Sequence, residues 1–173
     1  MTVTDVNVVK SAIFERPDDA NKGTLGSLLC VCGSYGMAGA AVMSAKGALR
    51  TGIGLAKCAL PRSIYPIVAQ TILESVYYPL SENADGRISK VNVPFLVSES
   101  CKSSATLVGC GLGVCDDTLK IVFSLIENST TPLVLDADAL NCVAKQPEIL
   151  LRKKAPIIIT PHPGEMSRLT GLA

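Results

Sequence analysis

The sequence has no tryptophan, and its three phenylalanines and four tyrosines bring aromatics to only 4% of 173 residues. Platforms for stacking nucleic-acid bases are therefore missing. No basic cluster replaces them, because sixteen Lys and Arg against fifteen Asp and Glu leave a formal charge of +1. The single histidine, His162, rules out the mixed Cys/His spacings of zinc sites. Any Ser-His-Asp or Cys-His mechanism would have to use it, yet no G-x-S-x-G elbow occurs, so covalent hydrolysis is unsupported. The opening MTVTDVNVVKSAIFERPDD lacks the basic stretch and apolar core of a secretory signal. Polar residues interrupt every apolar run before it reaches membrane-spanning length, and a soluble, cytoplasmic protein is expected.

Seven cysteines, Cys30, Cys32, Cys58, Cys101, Cys110, Cys115 and Cys142, are an odd number without a C-x-x-C pair. Most lie in apolar, strand-like segments, so reduced and buried thiols are expected. Cys30 and Cys32, two residues apart, share one face of a strand.

Apolar residues are abundant: 48% hydrophobic against 18% charged, with a mean hydropathy of +0.38, describes a filled interior. A chain of this length is one domain that buries about two thirds of its unfolded surface. Short Val/Ile/Leu runs alternate with segments of helical period, and each changeover falls at Gly, Pro or Asp. The expected strands are Ser27–Cys32, Leu55–Leu60, Ser75–Tyr78, Ala105–Val108, Pro132–Leu135 and Pro156–Thr160. The expected helices are Ala38–Thr51, Arg62–Gln70, Val93–Ser100, Asp116–Glu127, Asp138–Lys145 and Gly164–Thr170. Strands apolar on both faces belong to a mostly parallel sheet with helices on both sides, an α/β class. Ser81–Lys90, SENADGRISK, is the most polar stretch and reads as an exposed loop.

Ligands of open α/β sheets bind beyond the carboxyl ends of the strands, which singles out four segments. GSYGMAGAA places Gly33, Gly36 and Gly39 where backbone N–H groups can approach an anion, or where a helix simply packs closely. It is neither a Rossmann fingerprint nor a Walker A loop. GCGLG offers Gly111 and Gly113 as backbone contacts, or is a structural turn leading to a helix capped near Asp116 and Asp117. In DADALN, Asp138 suits a helix cap, while Asp136 ends a central strand and faces the crevice, with Asn141 one turn on. In TPHPGE, prolines on both sides hold His162 in place and Glu165 opens a helix, where it also complements the dipole.

Taken in order, KGTLGSLLCVCGSYGMAGAAVMSAKGALRTGIGL (Lys22–Leu55), GCGLG, PLVLDADALN and IITPHPGEMSRL resemble the ATP/ADP-dependent NAD(P)H-hydrate dehydratases of the ribokinase-like superfamily. The resemblance runs from about Lys22 to Leu172 and implies a three-layer ribokinase-like fold. It implies a lyase that uses ATP or ADP with Mg2+ to remove water from hydrated NADH or NADPH, through phosphorylation of the added hydroxyl and loss of phosphate. It also implies a homo-oligomer, commonly a tetramer. By position, Ala40, Gly113 and His162 would contact the hydrated dinucleotide, and Asp136 and Asn141 would line the same crevice near the phosphates. Family members often have histidine at the position of Asn21 and proline at that of Cys110. The family's lysine-containing stretch and G-T-G-D loop, which follow the PHPGE segment, do not occur in residues 1–173, so no catalytic residue is assigned. The expectation is a single incomplete domain carrying the substrate side of the site. A sugar or vitamin-precursor kinase of the same superfamily and a non-catalytic dinucleotide-binding remnant are the alternatives.

Overall fold

The computed structural model describes residues 18–21 and 23–172. Lys22, where the first of the four motifs begins, lies outside them, as do residues 1–17 and Ala173. Six strands, β1 (Ser27–Val31), β2 (Leu55–Pro61), β3 (Val76–Leu80), β4 (Ala105–Val108), β5 (Leu133–Leu135) and β6 (Ile157–Ile159), pair in parallel throughout. Their order is β3-β2-β1-β4-β5-β6. The helices are α1 (Ala38–Arg50), α2 (Tyr65–Thr71), α3 (Val93–Cys101), α4 (Asp116–Asn128), α5 (Asp138–Val143) and α6 (Pro163–Thr170). Each expected strand and helix is present within one or two residues of its expected bounds, except α2, which begins three residues after the expected Arg62 because Arg62–Ile64 forms a 3-10 turn. Short 3-10 turns at Arg62–Ile64, Lys90–Asn92 and Pro147–Arg152 complete the alternation. Pro132 and Pro156 stand just before β5 and β6, where their missing N–H costs nothing and their carbonyls still accept from Thr106 and Leu133.

The period-two alternation of the strands sorts the core into two layers. Leu29 and Val31 of β1 pack with Val108, Leu133 and Leu135 against α3, α4 and α5. Cys30 and Cys32 turn to the opposite face, with Cys58 and Leu60, against Ala41 and Ala45 of α1 and Val68 of α2. Each fully buried leucine among these contributes about 1.5–3 kcal/mol by leaving water. Under α3 the core is polar but satisfied: Ser100 Oγ bonds Thr106 at 2.9 Å and Ser129 at 2.7 Å. On the α1 side the helical cover stops short of the sheet edge: Leu107 and Val134 border a crevice and Ile158 is 59% exposed.

Three local expectations need correction. Ser81–Lys90 is not simply an exposed loop: Glu82 and Ile88 form an antiparallel bridge, Ile88 is fully buried, and Gly86 C=O accepts from Tyr35 N–H at 2.8 Å. Asp116 and Asp117 lie in the first turn of α4, but the cap is Cys115, whose sulfur accepts the Thr118 N–H while the Thr118 hydroxyl accepts the Cys115 N–H at 2.9 Å. Asp138 does not cap α5. That place falls to Ala137, which makes no side-chain cap bond, and the Asp138 carboxylate reaches elsewhere.

Candidate functional site

In this strand order the chain winds away in both directions from the gap between β1 and β4, and the loops leaving those two strands part there. The four segments singled out from the sequence are the exits of β1, β4, β5 and β6. They meet at the carboxyl end of the sheet around a crevice of about 630 Å³, bordered by Ala40, Met43, Ser44, Cys110, Asp136 and Thr160.

Beside the crevice the loops are in close contact at glycines. Gly109 has φ +125°, and a Cβ there would stand 1.9 Å from the Asp136 carbonyl oxygen, so the β4 and β5 exits touch only because the side chain is absent. At Gly111 a Cβ would meet that of Ala40 at 2.7 Å, which places the GCGLG loop against the start of α1. Gly33 is similarly enclosed, by Ile64 and Ala41, and serves packing. Gly36 and Gly39 differ: nothing stands within 4 Å of a Cβ at either, and both border a second cavity of about 390 Å³ that reaches Ile64 and Ile67.

Gly113 is covered by Arg87, whose Nε would lie 2.5 Å from a Cβ there, and its N–H donates to Asp138 Oδ2 at 2.8 Å. Asp138 thus ties the β4 loop to α5 and accepts from Asn141 Nδ2 at 3.3 Å. Asn141 Oδ1 in turn accepts from Arg168 Nε of α6 at 2.8 Å. Asp136 projects into the crevice with both oxygens engaged: Oδ1 accepts from the Thr160 hydroxyl at 2.9 Å and Oδ2 from the Cys110 thiol at 3.3 Å. The preceding turn carries strain, because Ala137 adopts φ 48° and ψ −114°, a conformation that costs a non-glycine residue about 1–3 kcal/mol and is concentrated at functional sites.

His162 caps α6. Its Nδ1 accepts from the N–H groups of Gly164 at 3.1 Å and Glu165 at 3.4 Å, while the nearly buried Glu165 carboxylate accepts from His162 N–H at 3.0 Å. With Nδ1 accepting, the proton is assigned to Nε2, which faces Glu165 Oε1 at 3.2 Å. Nδ1 is therefore taken up by the cap, and the rest of the ring is what a ligand could reach. The cap holds the ring in place, and 61% of its side chain remains open.

The titratable side chains bordering the larger crevice are Cys110 and Asp136. The Cys110 thiol is held below its ordinary range, first by a hydrogen bond from Cys32 and then by the Ser44 hydroxyl, against burial and the Asp136 carboxylate. Cys32, the donor to that bond and fully enclosed, is pushed well up. Among the described residues there is no cluster of three His, Cys, Asp or Glu that could hold a metal ion. None of the helices described is long and apolar enough to cross a membrane. Arg87 and Arg168 were not singled out from the sequence, and Thr160 was included only as the first residue of TPHPGE. Arg87 sits in a segment that reads as solvated, and no local pattern reveals that it folds back over Gly113.

A six-stranded parallel sheet wound both ways from a switch point, with glycine loops gathered there, defines a doubly wound, ligand-binding α/β protein. The same fold is found in a ribokinase-like superfamily protein of Enterococcus faecalis (TM-score 0.77, 20% identity, 93% of this chain and 54% of that one). The family model for NAD(P)H-hydrate dehydratase matches residues 28–173, and the chain belongs to that family. It is 38% identical over 156 residues to a bifunctional NAD(P)H-hydrate repair enzyme of Thermofilum pendens, covering 90% of this chain and 30% of the relative. It also superposes on the ADP/ATP-dependent NAD(P)H-hydrate dehydratase of Bacillus subtilis, co-crystallised with ATP and Mg2+, with TM-score 0.73 and 28% identity over 95% of this chain and 54% of that one. The chain thus spans about a third of the first relative and about half of each solved structure.

Proposed function

We propose that this chain forms the dinucleotide side of an ATP/ADP-dependent dehydratase acting on hydrated NADH or NADPH. The observation that carries this reading is the meeting of Ala40, Cys110 and Asp136 at one crevice, with Gly111 packed against Ala40 and with Gly113, Asn141 and the His162-capped helix joined to it through Asp138 and Arg168. Backbone and small residues leave a flat surface for a dinucleotide, and the ring face of His162 and the Asp136 carboxylate supply fixed contacts on either side. Gly36 and Gly39, facing their own open cavity, fit an anionic group of the substrate or the nucleotide approaching the N-terminus of α1. With Nδ1 of His162 committed to the helix cap, these residues bind and orient the substrate. ATP or ADP supplies the phosphoryl group that makes the added hydroxyl a leaving group. Magnesium would accompany the nucleotide phosphates, with Asp136 the carboxylate of the crevice nearest to hand for it. A cytoplasmic homo-oligomer belongs to the same reading.

The test is a calorimetric titration of the chain with hydrated NADH. Saturable one-site binding is expected, weakened about tenfold or more by Ala40→Leu, which narrows the crevice. An Ala40→Leu protein that is folded and binds as the parent does would remove the crevice from the reading, and no binding by the parent would overturn it.

A further inference from the structure

We propose that Cys110 is a thiol modification site on the crevice wall, oxidised by hydroperoxides and resolved by Cys32 into a disulfide that links the exits of β4 and β1. Cys110 is partly exposed and borders the crevice, while Cys32 lies behind it at 1% exposure. Both belong to the face of the sheet that α1 and α2 cover. Their backbones run side by side: Val31 is paired with Val108, and Gly33 N–H donates to the Cys110 carbonyl at 2.9 Å. Neighbouring strands lie about 4.8 Å apart. The ladder ends at Val31 and Val108, and Gly109, at φ +125°, turns the chain so that Cys110 packs on the face that Cys32 occupies; a disulfide there requires a Cα separation of about 4.4–6.8 Å.

The groups facing Cys110 suit it to react first. The neighbouring Cys32 thiol and Ser44 hydroxyl hold the Cys110 thiol below its ordinary range, against burial and the Asp136 carboxylate to which its S–H donates at 3.3 Å. The other buried thiols on this face are held protonated: burial pushes Cys30 and Cys58 up, and on the opposite face it raises Cys142 to about 11. Cys115 is the competitor. Burial raises it, but hydrogen bonds from Thr118 and Asp117 hold it below the ordinary range, and that sulfur is committed to capping α4.

The chemistry closes without a metal. The Cys110 sulfur attacks the outer oxygen of the hydroperoxide; an S–O bond forms, the O–O bond breaks, and the alcohol or water leaves with the thiol proton, giving a sulfenic acid. The Cys32 sulfur then displaces the hydroxyl; the S–S bond forms and water leaves with the Cys32 proton. Two thiols and one hydroperoxide become a disulfide, an alcohol or water, and a further water. The inference is independent of which molecule occupies the crevice.

The experiment treats the fully reduced chain with hydrogen peroxide, blocks the remaining thiols with N-ethylmaleimide under denaturing conditions, and reads intact mass and disulfide-linked peptides. The expected result is a loss of about 2 Da before blocking, a single Cys32–Cys110 linkage and five labelled cysteines, the seven of the sequence less two. Cys32→Ala should leave Cys110 as a sulfenic acid that reacts with dimedone, and Cys110→Ala should form no disulfide, each with the far-UV spectrum of the parent. A linkage between other cysteines, oxidation of Cys115 with Cys110 untouched, or seven labelled thiols after treatment would each overturn the proposal.

Discussion

Gly109→Ala tests whether the contact between the β4 and β5 exits depends on one missing side chain. The residue has φ +125°, where a Cβ is strained by about 1–3 kcal/mol wherever it points. Here it points at backbone: the Asp136 oxygen at 1.9 Å and the Ala139 nitrogen at 2.7 Å. Neither atom is the free end of a side chain, so relief requires moving the turn that links β5 to α5, and overpacking of this kind costs about 1–3 kcal/mol. Together the two effects predict a loss of about 4 kcal/mol. Gly47 provides the opposite case. It lies inside α1 with nothing within 4 Å of a Cβ, and Gly47→Ala should stabilise by about 0.5–1 kcal/mol. Urea denaturation followed by far-UV circular dichroism measures both. With a slope of about 2 kcal/mol per molar, Gly109→Ala should lower the midpoint by about 2 M while Gly47→Ala raises it slightly. A Gly109→Ala midpoint within about 0.3 M of the parent would refute the argument, as would a Gly47→Ala protein less stable than the parent.

Two further substitutions separate roles that the structure superimposes. His162→Ala removes the α6 cap and should cost about 1 kcal/mol, whereas His162→Asn keeps a capping acceptor and should leave stability near that of the parent. If the ring also contacts the dinucleotide, both variants should bind hydrated NADH more weakly in the titration described above, and an unchanged affinity for His162→Asn would make the histidine a cap alone. Glu99 is held below the ordinary carboxylate range, first by a hydrogen bond from Lys102, with Tyr78 and Lys57 adding to it against burial. Its folded pKa is depressed, so the stabilisation is present at neutral pH and is lost as pH falls through about 4.3 towards the depressed value. Glu99→Gln should flatten that acid limb of the stability profile, and equal acid slopes for the two proteins would exclude the carboxylate as its source.

The strands and helices were legible because two different periods alternate along the chain, and the breaks fall at residues that end both. The four site segments were legible because each follows a strand, and the parallel arrangement sends every such exit to the same end. Pairing between exits was not. Nothing in DADALN reveals that Asp138 bonds the Gly113 N–H instead of capping its own helix, because the partner lies 25 residues away and is a backbone group. Arg87 was missed for the same reason: a polar stretch looks solvated until Ile88 buries and the turn closes on Tyr35. Capping by Cys115 was hidden behind two aspartates that fit the usual preference better.

The glycine contacts beside the crevice also determine how this site responds to genetic dissection. Alanine scanning finds binding surfaces by deleting side chains, and it presumes that the surface consists of them. Where main chain touches main chain, alanine adds an atom, so Gly109 should be among the most damaging positions of a scan here, with Gly111 close behind against the Cβ of Ala40, and both would register as folding defects. A search for the site that discarded poorly folded variants would pass over the part of it that gives the crevice its shape.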